Sequence, residues 1–201
     1  KAGPKQQPLK GEIPTLAAPK FEVMKDKVAT TRIYRNWTVP GIDSADSVPL
    51  DVGASVLGGL ASSRLDNILV REEKLAVNVT AGYQGFAQLG GIEITADVKP
   101  GVDPAVVAKR LDEIIADFIK TGPSADEVQR VQMRTVSSRL AGLEQVGGFG
   151  GKAVALAEGA LYRNDSDFYK KQLEQLSKVT PDQVTAAMGK WLTRPVYALT
   201  V

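Results

Sequence analysis

The chain has 201 residues, enough for one substantial domain, and its 43% hydrophobic and 24% charged content is that of an ordinary globular protein. A net charge of +2, from 25 basic and 23 acidic residues, gives no electrostatic footprint for nucleic acid or an anionic membrane. No apolar run reaches the roughly 18 residues a membrane span needs. The chain contains neither cysteine nor histidine. That removes disulfides, thiolate sites, the usual general base, the usual zinc ligand and every Ser-His or Cys-His pair, so the chain alone is a poor candidate for hydrolytic chemistry.

Residues 1–20 carry Pro4, Pro8, Pro14 and Pro19 among several lysines without helical or strand periodicity, which predicts a proline-rich linker extended along a surface. The domain proper is expected over residues 21–201. Phe21 and Val23 predict a short strand, and Thr31–Val39 (TRIYRNWTV) a longer one that Pro40-Gly41 stops. Asp43–Leu57 reads mostly as helix, ending at Gly58-Gly59. A second short helix is expected from Ser62, capped by Ser62 or Ser63, with Leu65, Ile68 and Leu69 on one apolar face. It closes on Arg71-Glu72-Glu73-Lys74. A half-buried strand then directs Leu75, Val77, Val79, Ala81 and Tyr83 inward. Gly82–Gly91 reads as a turn region. Ile92, Ile94, Ala96 and Val98 alternate with polar neighbours in a one-face-buried strand, paired antiparallel with the Val77 strand.

Asp103-Pro104 opens a helix with the apolar stripe Val107, Leu111, Ile114, Ile115 and Phe118, closed by Gly122. Ser124 and Glu127 form a capping box for the next helix, which runs through Val128, Val131, Val136, Leu140 and Leu143. Gly147, Gly148, Gly150 and Gly151 around Phe149 must break or bend the chain beyond it. Ala153–Leu161 and Asp165–Val179 read as further helices. Thr180-Pro181-Asp182-Gln183 is a second capping box, introducing a helix with Val184, Ala187, Met188, Trp191 and Leu192, and Val196–Val201 is a last strand. Trp37 and Trp191 are expected in the core, with partners for their indole N–H groups. The order predicts an α+β fold: a largely antiparallel mixed sheet with helices packed on one face.

The run Leu57-Gly58-Gly59, then Ser62-Ser63-Arg64-Leu65, then the charged turn and Leu75-Ala76 with Val79 and Ala81, resembles the non-catalytic domain of the insulinase/pitrilysin zinc peptidases, over roughly Phe21–Val201. The resemblance implies the insulinase/mitochondrial-processing-peptidase-like metallohydrolase fold, as one of two or four similar units. The family's catalytic H-x-x-E-H signature cannot occur here. No catalytic or metal-ligating residue is therefore expected, and zinc is placed in a sister domain, in the same chain or on a partner subunit. The substrate-binding half of such enzymes carries an arginine and, seven residues on, a tyrosine just after Leu-Ala. The corresponding positions here are Val70 and Val77, with Arg71 one residue out of place. The departure implies a domain adjoining the catalytic one in the first half of the parent; the alternative is a one-residue deletion that lets Arg71 serve, so Arg71 and Val77 stand as substrate-binding candidates.

The function implied is a non-catalytic domain of a larger zinc metalloendopeptidase, forming part of the wall of a chamber that admits small or unfolded peptides. A free edge near the Val77 or Ile92 strand would pair with an extended peptide, and Gly147, Gly148, Gly150 and Gly151, or the linker, would serve as hinge. The alternative is a scaffold or docking subunit of the same fold without peptidase activity. A third reading, an unrelated small-molecule-binding α+β domain, predicts a deep enclosed pocket within this chain. The family's exported bacterial members and the missing cysteines place a bacterial parent in the periplasm. Other motifs fall short. In Gly147–Lys152 (GGFGGK) the first phosphate-loop glycine is replaced by Val146 and the magnesium-binding hydroxyl by Ala153. Gly53–Leu57 lacks the second glycine of a nucleophile elbow. Glu72-Glu73, between Arg71 and Lys74, reads as a solvated helix end, and the sequons at Asn36, Asn78 and Asn164 matter only in a secretory host.

Overall fold

In a computed structural model, which describes residues 11–201, the strands form one five-stranded sheet in the order β1-β5-β2-β4-β3. They are β1 (Lys20–Val23), β2 (Arg32–Pro40), β3 (Ala76–Gly85), β4 (Leu89–Val98) and β5 (Tyr197–Thr200). β2 runs antiparallel to β4 from Arg32↔Asp97 to Pro40↔Leu89, and antiparallel to β5 on its other side. The one parallel pairing joins β5 to β1. The largely antiparallel mixed sheet expected from the residues is therefore what forms.

The helices are α1 (Ser47–Ala54), α2 (Pro104–Thr121), α3 (Ala125–Glu144), α4 (Lys152–Arg163), α5 (Phe168–Lys178) and α6 (Pro181–Leu192). α1 widens at its end into a π-helical segment, Ser55–Gly59, and a second π-helical segment spans Asp66–Glu72. The starts follow the local chemistry. Asp103 accepts a hydrogen bond from the Ala105 amide ahead of Pro104, and both capping boxes, Ser124 with Glu127 and Thr180 with Gln183, close reciprocally. Gly122 ends α2 at φ +69°, a conformation that a side chain would strain.

The stripes of α2 and α6 meet Ile33, Trp37, Val39, Ile92, Ile94 and Ala96 of the sheet in one buried cluster. Burying each large aliphatic side chain there stabilises the fold by about 1.5–3 kcal/mol, so Phe118→Ala at the fully buried centre would cost about 3–5 kcal/mol. Both tryptophans lie in this core with their N–H groups satisfied. Trp37 donates to the Arg194 carbonyl at 3.2 Å and Trp191 to Asp46 Oδ2 at 2.8 Å.

Four local expectations are overturned, each for a physical reason. The register shifts between Ala76, opposite Val98, and Asn78, opposite Asp97. This bulge places one extra residue in β3 and reverses the alternation, so Ala76, Val79 and Ala81 are buried while Val77 is 49% exposed. Gly82–Gly91 is mostly strand, and the turn is only Phe86–Gln88. Gly90 is there because the chains close in: a Cβ would lie 2.7 Å from the Pro40 carbonyl oxygen and 2.9 Å from that of Gln84. β4 has strands on both sides and is buried on both faces between Ile94 and Val98. Thr95 shares a hydroxyl hydrogen bond with Thr80, and Asp97 accepts from Arg32 and Asn78. Finally, the second helical stretch begins at Arg64, and no serine side chain caps it. Ser63 is buried with its hydroxyl unpaired.

Of the expected linker, residues 1–10 lie outside the described residues, Pro4 and Pro8 among them. Ile13 packs against the core, and Pro14–Leu16 lie beside Asn36–Thr38 and Arg194-Pro195.

Candidate functional site

The Leu57–Ala81 stretch is the joint of the fold. A Cβ at Gly58 would lie 2.5 Å from the Ala81 amide nitrogen and 2.8 Å from the Thr80 carbonyl carbon. Glycine at this position lets the widened end of α1 rest directly on β3. Six residues on, the Ser-Arg-Leu arginine crosses to the start of α3. Arg64 donates from Nε to Glu127 Oε1 at 2.7 Å and from one terminal nitrogen to Glu127 Oε2 at 2.8 Å and the Gly122 carbonyl at 2.7 Å. Its guanidinium also lies 5.0 Å from the Phe118 ring.

Glu127 thus serves two structures at once. It closes the α3 capping box through the Ser124 amide at 2.7 Å and holds the fork of Arg64. The Arg64 hydrogen bonds, outweighing desolvation, lower the carboxyl from the ordinary 4.5 to about 2. The sequence marked Glu127 as a cap but assigned Arg64 no partner. Only its place in Ser-Arg-Leu signalled it.

Arg71 is turned back on its own segment, donating to Asp66 Oδ2 at 2.6 Å and to the Ala61 carbonyl. Its side chain is 59% exposed. Val77 lies on the outward side of the β3 bulge. Because Arg71 sits in a π-helical turn and Val77 in a bulged strand, their sequence separation does not fix a spatial offset. β3 is one margin of the sheet and β1 the other, whereas the Ile92 strand, β4, is interior.

The glycine segment joins α3 to α4. Gly148 adopts φ +87°, and the turn is closed by the Lys152 amide on the Gln145 carbonyl at 2.8 Å and the Ala153 amide on that of Val146 at 3.1 Å. Phe149 at its tip is fully exposed.

Behind these elements, burial raises the pKa of the Asp51 carboxyl against the opposing pull of Arg139, 3.7 Å away. Burial also pushes the Tyr83 phenol up to about 12, and its hydroxyl donates to the Pro40 carbonyl at 3.0 Å. Tyr83 is a support for the hairpin, not an acid or base near neutrality. Among the described residues no three His, Cys, Asp or Glu side chains are grouped to hold a metal ion.

A family model described as the peptidase M16 inactive domain matches residues 1–135, more than half of the chain. The chain belongs to that family, the zinc-peptidase family that the Leu-Gly-Gly and Ser-Arg-Leu residues resemble. Solved structures share its fold. A protease from Helicobacter pylori superposes with a TM-score of 0.81 at 18% identity, over 93% of this chain and 44% of that one. A peptidase M16 inactive domain from Pseudomonas fluorescens gives 0.75 at 20% identity, over 96% and 46%. A candidate zinc protease from Bordetella pertussis gives 0.73 at 22% identity, over 86% and 94%. The chain thus spans a little under half the length of the first two. No curated protein matches it.

Zinc is the metal such a family implies. A chain with no histidine or cysteine, and no converging carboxylates among its described residues, does not fit that ion. No chemical step is assigned to a metal on this chain.

Proposed function

We infer that this chain is the non-catalytic domain of a larger zinc-dependent metalloendopeptidase, and that it forms part of the wall of the substrate chamber beside a zinc-bearing sister domain. The observation that carries the reading is the family membership of a chain without an imidazole or thiol side chain. In this reading zinc and the hydrolytic step belong to the sister domain, in the same polypeptide or on a partner subunit. This domain contributes shape: it excludes folded proteins and offers extended backbone to an unfolded peptide. β3 is the strand suited to the second task, because it lies at the sheet margin beside the Leu57–Ala81 joint. Hinge movement at Gly147, Gly148, Gly150 and Gly151 would alter the outer helical layer without disturbing the sheet.

The deciding experiment compares the full-length protein with the 201-residue chain on an unstructured fluorogenic peptide, with and without a chelator. Hydrolysis by the full-length protein alone, abolished by the chelator and restored by zinc, is expected. Hydrolysis by the 201-residue chain would overturn the reading. A full-length protein that is folded but inert on peptides would replace it with a scaffold or docking role.

A further inference from the structure

A cavity of about 560 Å³ lies between the β3–β4 turn and the α4–α5 pair, within the range of about 300–1,000 Å³ typical of small-ligand sites. Four aromatic rings face it, Phe86, Tyr162, Phe168 and Tyr169, with Glu158 and Gln172 contributed by the helices. Phe86 is 60% exposed and Tyr162 48%, so part of this aromatic wall is open to solvent. The recess continues into a second cavity of about 290 Å³ that shares Glu158, Tyr169 and Gln172 with the first.

The charges around the recess are unequal. Arg163, whose guanidinium lies 4.8 Å from the Phe168 ring, is paired with Asp43 and donates to the Ile42 carbonyl. Arg139, on the adjoining cavity, faces Asp51 at 3.7 Å. The α5 lysines are likewise matched, Lys170 with Asp167 and Lys171 with Asp165. Glu158 alone has no cationic partner among the described residues. Two of the rings already carry a cation, Phe168 that of Arg163 at 4.8 Å and Tyr169 that of Lys170 at 5.7 Å. That leaves Phe86 and Tyr162 as the free ring faces beside the exposed, unpaired carboxylate of Glu158. A further cation is drawn by those two faces and by that carboxylate.

We propose that this recess binds a cationic side chain on an apolar stem, the lysine or arginine of a peptide, with the stem against Phe86 and Tyr162 and the charge at Glu158. Such a site would tether a basic peptide to a domain that performs no chemistry, slowing its escape while another domain cuts. The peptide as ligand rests on the chamber-wall reading, whereas the preference for a cation rests on the recess alone.

The test titrates the isotopically labelled 201-residue chain with a blocked alanine pentapeptide carrying one central arginine, and with its neutral citrulline counterpart. Amide shifts should be confined to residues 85–87, 158–163 and 168–172. The citrulline peptide should bind about tenfold more weakly. E158Q, which keeps the shape, should weaken the arginine peptide about two- to fivefold and leave the citrulline peptide unchanged, and Y162A should weaken both. No shift with about 5 mM arginine peptide, in the weak range of millimolar binding, would overturn the proposal. So would equal binding of the two peptides, or unchanged arginine-peptide binding by E158Q. None of these results bears on hydrolysis by the full-length protein, so the two readings fail separately.

Discussion

Removing the Arg64 guanidinium should be among the most damaging single changes outside the apolar core. Arg64→Ala deletes three charge-assisted hydrogen bonds, at 2.7, 2.8 and 2.7 Å, and a cation–ring contact at 5.0 Å. It leaves the Gly122 carbonyl with only a long 3.5 Å hydrogen bond from the Thr121 hydroxyl, and Glu127 supported by Ser124. Breaking a fully buried pair costs about 3–5 kcal/mol. The side chains here retain 23% and 17% exposure, and discounting for that solvent contact gives about 2–4 kcal/mol. For a domain of this size the melting temperature should fall by roughly 5–15 °C. Arg64→Lys, which keeps the charge but not the fork, should lose about half as much. Acid titration supplies a second readout. Folding lowers the Glu127 carboxyl from 4.5 to about 2, so its stabilisation is complete above pH 4.5 and is lost as pH falls from 4.5 towards 2. Urea unfolding across that window should be steeply pH-dependent in the parent and markedly flatter in Arg64→Ala. A variant melting within about 1 °C of the parent, or one with the parent's acid profile, would refute the argument.

Gly58→Ala should destabilise by about 1–3 kcal/mol, since the new methyl meets backbone of β3 that cannot yield; thermal unfolding measures it. Ser63→Ala removes a buried hydroxyl with no partner and should raise stability by up to about 1 kcal/mol in urea titration. Val77→Thr should change stability by less than about 0.5 kcal/mol, as expected of an outward side chain; a loss above 2 kcal/mol would restore Val77 to the core.

What the sequence disclosed depended on the range of the physics. Capping boxes are contained in four residues, so Ser124–Glu127 and Thr180–Gln183 could be read directly and both close as written. The apolar stripes of α2 and α6 repeat at helical spacing and were equally plain. Strand alternation survived only while the strand stayed regular, and one extra residue at Ala76–Asn78 turned Val77 outward. Gly90 was legible as a glycine but not as a point of close approach, since its neighbours come from two other strands, Pro40 of β2 and Tyr83 and Gln84 of β3. Arg64 shows the limit best. Its partner lies 63 positions away, and no pattern within the Ser-Arg-Leu run indicates which carboxylate it will find. The cavity beneath Phe86 was equally hidden, because its walls come from three separated stretches of chain.

The placement of β5 has a consequence for synthesis. Among the described residues β1 pairs with no strand but β5, Tyr197–Thr200, with one further backbone hydrogen bond from the Lys20 amide to the Val196 carbonyl. During translation Lys20–Val23 therefore emerges long before its partner, by on the order of 10–35 s at ordinary elongation rates. Throughout that interval Phe21 and Val23 belong to a nascent chain with a strand-forming segment and nothing to pair with. What β5 supplies is main-chain pairing, since Phe21 and Val23 keep 70% and 78% of their surface exposed in the folded chain. A ribosome-bound intermediate arrested before Tyr197 should therefore leave the Lys20–Val23 amides open to hydrogen exchange, and protect them only once the closing strand has cleared the exit tunnel.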